Sequence, residues 1–278
     1  MTEILSVEHL NVSLKKEPSR FLVKGSSFKL SAGKTTCIVG ESGSGKSLTA
    51  LTIMGLLSNQ LIATGNIFFN GVDLMTLDNK AMQKIRGAQI GMIFQEPMTS
   101  LNPVLTVGFQ IGEVLTAHLG FKGMALRLRV EGLLAQVGIP ASRANSYPDE
   151  LSGGQRQRVM VAMSIACEPA LLIADEPTTA LDVTVQAQIL TLLEELKSRM
   201  KMAMLFITHD FGVVSDIADD VIVMFRGEIV EAGTKKQVLE KPQHPYTKAL
   251  LACVPDVAGK KELKPIDYAW LAEDEAAV

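Results

Sequence analysis

Cysteine is scarce in this sequence. Cys37, Cys167 and Cys253 stand far apart, and none belongs to a Cys-x-x-Cys pair. That usage argues against a disulfide framework and against a thiolate zinc site, and leaves three reduced core thiols. Positive charge is not in excess either: the net charge is -3 with a pI near 5.9, and no run of Lys and Arg is dense enough for a nucleic-acid stripe. Nucleic acid is therefore not an expected partner. No apolar stretch approaches the roughly 18 residues that cross a bilayer, and Met1-Thr2-Glu3-Ile4-Leu5 lacks the basic segment and apolar run of a secretory signal. The expectation is a cytosolic chain. Internal repeats and low-complexity segments are absent as well.

What is present is ample apolar material. With 278 residues, 47% of them hydrophobic, the chain can bury a large core, and its length fits one large domain plus a small appendage. A mean hydropathy of +0.22 is high for a freely soluble enzyme, and docking on a membrane protein would account for it.

Ile4 to Val12, Phe28 to Leu30 and Thr35 to Val39 read as strands, with Ser31-Ala32-Gly33-Lys34 as a turn before the third. Ser47 to Leu57 has a helical pattern. Gly65 to Phe69 and Ile90 to Phe94 read as strands, and the latter delivers Gln95 into Glu96-Pro97-Met98-Thr99-Ser100-Leu101-Asn102-Pro103, a loop punctuated by two prolines. From Val104 to Val137 apolar positions recur at helical spacing, broken by glycines, which predicts two or three helices in a separate lobe. Leu171 to Ala174, Met204 to Ile207 and Val221 to Phe225 are continuous apolar runs interleaved with helices, the pattern of a parallel α/β sheet buried on both faces. After about residue 255 the composition turns charged and aperiodic, which reads as a loosely held tail.

Five peptides carry the chemistry. Gly40-Glu41-Ser42-Gly43-Ser44-Gly45-Lys46-Ser47 fits G-x-x-x-x-G-K-[ST], a loop whose N–H groups and lysine wrap phosphates while the hydroxyl binds magnesium. It lies between a strand and the helical stretch Ser47 to Leu57, so the helix dipole faces the phosphates reached by Ser47 and Leu48. Lys46 is expected to neutralise the β- and γ-phosphates, and Ser47 to ligate magnesium. Asp175 ends an apolar run, where its carboxylate can reach the magnesium shell. Glu176, the adjacent acid, is suited to polarise an attacking water. His209 follows the Leu205-Phe206-Ile207 run, on the side of the sheet where such folds bind ligands, and can contact the γ-phosphate. Gln95 can contact magnesium or the water. Ser152-Gly153-Gly154-Gln155, after Leu151, opens a second helix with glycines and a hydroxyl, which is another anion-binding start. If both starts touch one ATP, the second must come from another protomer. A kinase or GTPase reading would leave that second start without a role, and a module without catalysis would leave Lys46, Asp175, Glu176 and His209 without one.

Together with Ala180-Leu181-Asp182, these peptides resemble the ATP-binding subunits of ABC transporters over roughly residues 1 to 255. Phe94-Gln95-Glu96-Pro97, Ser100-Leu101-Asn102-Pro103 and His244-Pro245-Tyr246-Thr247-Lys248-Ala249-Leu250-Leu251 further resemble the peptide and nickel importer branch. The resemblance implies an α/β, P-loop NTPase core of the ABC type with a mainly parallel sheet, an antiparallel β subdomain and an inserted α-helical lobe at about 96–160. The ATPase domain would span 1–255, with a C-terminal tail at 256–278. It also implies a peripheral subunit on the cytoplasmic face of the membrane. Expected partners are a related second ATP-binding subunit, two transmembrane permease subunits and an extracytoplasmic solute-binding protein. Gly40 to Ser47 of one subunit would face Ser152 to Gln155 of the other across ATP, with Asp182 at the seam. Oligo- or dipeptides are the expected cargo; nickel or a metal chelate is the alternative, and a non-transport ABC ATPase a further one. Two departures stand out. The position for an adenine-stacking ring carries Leu14, with Phe21 the nearest aromatic. Many relatives have a cysteine-rich iron–sulfur segment after the His-Pro-Tyr stretch, whereas this chain has only Cys253 there, too few thiolates for a cluster that takes about four. No iron–sulfur cluster is expected.

Overall fold

The computed structural model describes residues 2–95, 100–179 and 181–253. Glu96 to Thr99, Ala180 and the expected tail at 256–278 lie outside the described residues.

Two sheets organise the chain. In the first, β1 (Glu3–Leu14), β2 (Glu17–Ser31), β4 (Leu61–Phe69) and β5 (Val72–Asp73) pair antiparallel in the order β2-β1-β4-β5. The buried positions of β1, Leu5, Val7, Leu10 and Val12, break a period of two after Val7. A bulge repairs the phase: His9 takes φ 49, and the register slips between Val7 and Leu10 against β2 and between Glu8 and Asn11 against β4. One inserted residue thus returns all four side chains to the inward face.

The second sheet has the order β10-β9-β3-β8-β7-β6. Its strands β3 (Thr35–Val39), β6 (Ile90–Ile93), β7 (Leu171–Asp175), β8 (Ala203–Thr208) and β9 (Asp220–Phe225) run parallel, and β10 (Glu228–Thr234) closes one edge antiparallel. Every residue of β3, β7 and β8 is buried, which is why Leu171 to Ala174 and Met204 to Ile207 read as unbroken apolar runs. Alternation distributes their side chains to two cores. Cys37, Val39, Leu172 and Ala174 enter one, while Ile38, Leu171 and Ile173 enter the other with the inward face of the first sheet.

Helix α1 (Lys46–Ile53) follows β3, and α2 (Asn79–Gln83) precedes β6. Between β6 and β7 stand α3 (Val107–Leu119), α4 (Gly123–Gln136) and α5 (Gly153–Ile165). After β7 come α6 (Val183–Met200), α7 (Phe211–Ile217), α8 (Lys235–Glu240) and α9 (Pro245–Ala252). The helical run expected over 104–137 is two helices. Gly120 ends the first in the left-handed region at φ 70, as a C-terminal glycine without a Cβ penalty does. The expected helix 47–57 is shorter, ending at Ile53. Among the described residues no helix is long and apolar enough to cross a membrane.

Candidate nucleotide site

The parallel strands β3, β8, β7 and β6 are successive neighbours in the sheet. Their C-terminal ends therefore line one rim, where open α/β sheets bind ligands. Gly40–Ser47 leaves β3, His209 leaves β8, Asp175 and Glu176 end β7, and Gln95 follows β6. Residues scattered over 170 positions of sequence are brought together by strand order alone.

The loop after β3 owes its shape to close approach. A Cβ on Gly40 would stand 2.1 Å from the carbonyl oxygen of Met224 and 2.8 Å from the Ser44 hydroxyl, so no side chain fits. Gly45 caps α1 at φ 102 with no side-chain hydrogen bond to the helix start, leaving the first N–H groups of α1 without a capping partner from that residue. Ser44 Oγ is buried without a hydrogen-bond partner. Gly43, at φ +83, has open space where a Cβ would be. Glu41 and Ser42 form the loop's half-buried to exposed crest, and Leu48 packs half-buried on the core beneath α1.

Lys46 is 5% exposed, and its ammonium donates to the carbonyl oxygens of Gly40 and Glu41, both at 2.8 Å. Burial pulls its pKa down, opposed by the charges of Glu176, Asp175 and Glu41. Ser47 donates to Asp175 Oδ1 at 3.0 Å. Burial pushes the Asp175 carboxyl up, the Ser47 hydrogen bond opposes that rise, and the neighbouring Glu176 charge adds to it.

Glu176 is the hub. It takes φ 47, uncommon for a residue with a side chain, and its N–H donates to the carbonyl of Ile207 on β8 at 2.9 Å. One carboxylate oxygen accepts from Gln95 Nε2 at 3.0 Å and from the Thr179 hydroxyl at 2.9 Å; the other faces His209 Nδ1 at 3.3 Å. Burial alone would raise this carboxyl, but the hydrogen bonds from Thr179 and His209 and the charges of His209 and Lys46 outweigh it and hold its pKa below the ordinary glutamate value. Because an ionised carboxylate only accepts, the His209 contact requires a proton on Nδ1, and a neutral ring then presents Nε2 as an acceptor. Gln95, donating through nitrogen to Glu176, keeps its carbonyl oxygen for other partners.

Ser152, Gly153, Gly154 and Gln155 stand apart from this rim's hydrogen bonds. Ser152 caps α5, its hydroxyl accepting from Gln155 N at 3.3 Å while Gln155 Oε1 accepts from Ser152 N at 3.1 Å. Gly154 has no room for a Cβ, which would lie 2.7 Å from Val185 on α6. Asp182 caps α6 by accepting from Val185 N at 2.9 Å. Thr179, absent from the sequence expectations, touches Glu176 directly; a threonine in a loop carries no signal of its own. Leu14 is half-buried at the end of β1, opposite Glu17 and Leu61, and Phe21 on β2 is 45% exposed.

Comparison with known proteins agrees with this architecture. Residues 23–179 match the family described as "ABC transporter", and residues 230–274 match "Oligopeptide/dipeptide transporter, C-terminal region". The dipeptide transport ATP-binding protein DppD of Bacillus subtilis is 50% identical over 274 residues, covering 96% of this chain and 82% of DppD. The glutathione import ATP-binding protein GsiA of Escherichia coli is 48% identical over 275 residues, covering 95% of this chain, which spans 44% of GsiA. Among solved structures, CbiO1 of Clostridium perfringens, part of the ABC transporter complex CbiONQ, aligns with a TM-score of 0.75 at 29% identity, over 87% of this chain and 92% of that one. The dimeric ATP-binding cassette MJ0796 bound to ADP and Pi aligns with a TM-score of 0.73 at 27% identity, over 83% of this chain and 98% of that one. The chain belongs to the ABC transporter ATP-binding family, in its oligopeptide/dipeptide branch.

Proposed function

We propose that this chain is the ATP-hydrolysing subunit of a multisubunit importer of oligo- or dipeptides, working peripherally on the cytoplasmic face of the membrane. The observation that carries the catalytic part is the convergence on Glu176: Gln95, Thr179 and His209 hold one ionised carboxylate beside the phosphate loop. Peptide cargo is supported by the names of the relatives, dipeptide transport for DppD and glutathione import for GsiA. The ATPase domain we assign to 1–255, with a helical lobe at about 96–160 and a tail at 256–278.

The oxygen donors suit magnesium. Ser47 Oγ and Asp175 Oδ1 are 3.0 Å apart, close to the ~2.9 Å edge of an octahedron with ligands at about 2.05 Å. Ser47 and Asp175 would hold the ion, with the Gln95 carbonyl oxygen as a third donor. Bound there, magnesium would neutralise charge on the β- and γ-phosphates. No iron–sulfur cluster enters this reading.

The N–H groups of the Gly40 to Leu48 loop, that of Glu41 excepted, cradle the phosphates, and Lys46, with two protons on loop carbonyls, directs its third at them. Glu176 orients the attacking water and draws on its proton. His209 leaves Glu176 to donate to the γ-phosphate through Nε2, because a neutral ring cannot keep Nδ1–H on the carboxylate and donate at Nε2 as well. Ser152, Gly153, Gly154 and Gln155 serve the ATP of a partner ATP-binding subunit, a related and different chain, with Asp182 at the seam. ATP then adds attraction between two halves, and hydrolysis removes it, which biases the orientation of two permease subunits fed by an extracytoplasmic solute-binding protein.

Purification from native membranes in mild detergent, with mass spectrometry of the copurifying chains and uptake of labelled dipeptide and nickel in a deletion strain, tests this. Two permeases, a second ATPase and loss of dipeptide uptake are expected. Loss of nickel uptake alone, or recovery without permeases, would sink it.

A further inference from the structure

The C-terminal stretch after β10 reaches the phosphate loop. Glu231 on β10 accepts the backbone N–H of Gln243 at 2.8 Å and of His244 at 3.0 Å. His244 then caps α9, its Nδ1 accepting from Tyr246 N at 3.1 Å. Tyr246 is completely buried, its ring 4.2 Å from that of Phe225 at the end of β9, and its hydroxyl accepts the backbone N–H of Glu41 at 3.1 Å. The two regions matched to separate family descriptions, 23–179 and 230–274, meet at this bond. The next strand connection supports the loop from the same side: Gly227 N donates to the Ser44 carbonyl at 3.1 Å.

We propose that Tyr246 is a positioning residue for nucleotide binding, its hydroxyl holding the Glu41 amide so that the phosphate loop keeps its shape before nucleotide arrives. The proposal deepens the reading of Gly40–Ser47 as the phosphate cradle and rests on it. A half-buried N–H that loses its acceptor is costly in place, so a loop deprived of the hydroxyl turns the Glu41 amide toward water and drags the adjoining Gly40 carbonyl, which is an acceptor for Lys46. Nucleotide must then restore the shape. Its apparent affinity falls by the fraction of loops still in place. By reciprocity, nucleotide steadies α9 in the native chain.

The test compares full-length wild type with Tyr246→Phe, which keeps the ring against Phe225 and removes only the hydroxyl. A second variant, Glu231→Gln, weakens the anchor of residues 243 and 244, and Lys46→Ala serves as the control for the cradle itself. Titration with a fluorescent ATP analogue and magnesium is expected to give a Kd raised about tenfold in Tyr246→Phe, equivalent to about 1.4 kcal/mol, and raised less in Glu231→Gln. Hydrogen exchange should show nucleotide slowing the amides of α9 in wild type and not in Tyr246→Phe. A lowered Tm with Kd within twofold of wild type and undiminished protection of α9 would mean that the hydroxyl serves stability alone, and the proposal falls. If Lys46→Ala binds like wild type, the cradle reading itself fails, whatever Tyr246→Phe does.

Discussion

Two helices of this chain begin on glycine-rich turns, and they differ in how their first N–H groups are satisfied. The start of α1 has no side-chain cap, yet it is surrounded by Lys46, Asp175, Glu176, Gln95 and His209, all joined by hydrogen bonds to the loop or to one another. The start of α5 has a full capping box and a packed flank at Val185, but the hydrogen bonds of the Ser152 and Gln155 side chains, among the described residues, run only to each other. The first is a site that lacks a side-chain cap; the second is a self-sufficient cap whose Ser152 and Gln155 side chains, among the described residues, hydrogen-bond no acid, lysine or histidine. A capping bond is worth about 1 kcal/mol, little enough for an arriving phosphate to displace. The difference is what a divided site requires: catalytic groups on one face, and a plain set of donors offered elsewhere.

The strongest way to break this comparison is at the hub. Glu176→Gln keeps the size and the hydrogen-bonding reach of the side chain and removes its charge. Turnover is expected to fall by about 10² to 10⁴ while ATP still binds, which paired binding and phosphate-release assays would read. Hydrolysis above roughly a tenth of the wild-type rate would lie outside that range and would remove Glu176 from its role.

Gly153→Asp sharpens the other half. A Cβ at Gly153 meets only Leu181, at 3.9 Å, and an acid in the first turn suits a helix dipole, so folding should be unimpaired. If α5 serves the phosphates of a partner, the added charge repels them: a like-charge contact costs several kcal/mol, and steady-state hydrolysis should drop about 100-fold. ATP binding to the dilute single chain should stay within twofold. A variant that hydrolyses at near-native rate would show that the second helix start has no phosphate to meet.

Much of this was legible in the sequence, and the gaps have a common cause. The strands β7 and β8 announce themselves because both faces are buried and the apolar runs Leu171 to Ala174 and Met204 to Ile207 are unbroken. Strand β2 does not: most of Glu17 to Leu22 is exposed, Pro18 and Gly25 interrupt it, and only Phe28 to Leu30 read as extended. Strand β10 is hidden likewise, an edge strand with no fully buried residue. At the site, the short spaced motifs single out Gln95, Asp175, Glu176 and His209, and strand order brings these four to one rim. Thr179 and the Tyr246 contact were not legible, because each acts through a pairing between segments distant in sequence or through a turn whose geometry no period encodes.

The smallest expected effect concerns how Glu176 stays ionised. The hydrogen bond from Thr179 is the first of the influences that lower its pKa against burial. Because the depressed carboxyl is charged above its pKa and loses its charge as pH falls through it, the acid limb of kcat/KM should lie below the ordinary glutamate range. Thr179→Val has nearly the same shape without the donor. With that bond gone, burial weighs more, the carboxyl titrates higher, and the acid limb should move toward neutral pH, while kcat at pH 8 changes only a few-fold because the carboxyl is ionised there in both proteins and Gln95 still holds it. Bell-shaped profiles of kcat/KM, which report the groups of the nucleotide-free protein, measure this shift for the two proteins. A limb that stays put, or moves to lower pH, would mean that Thr179 braces the turn after β7 and leaves the charge of Glu176 to its other neighbours.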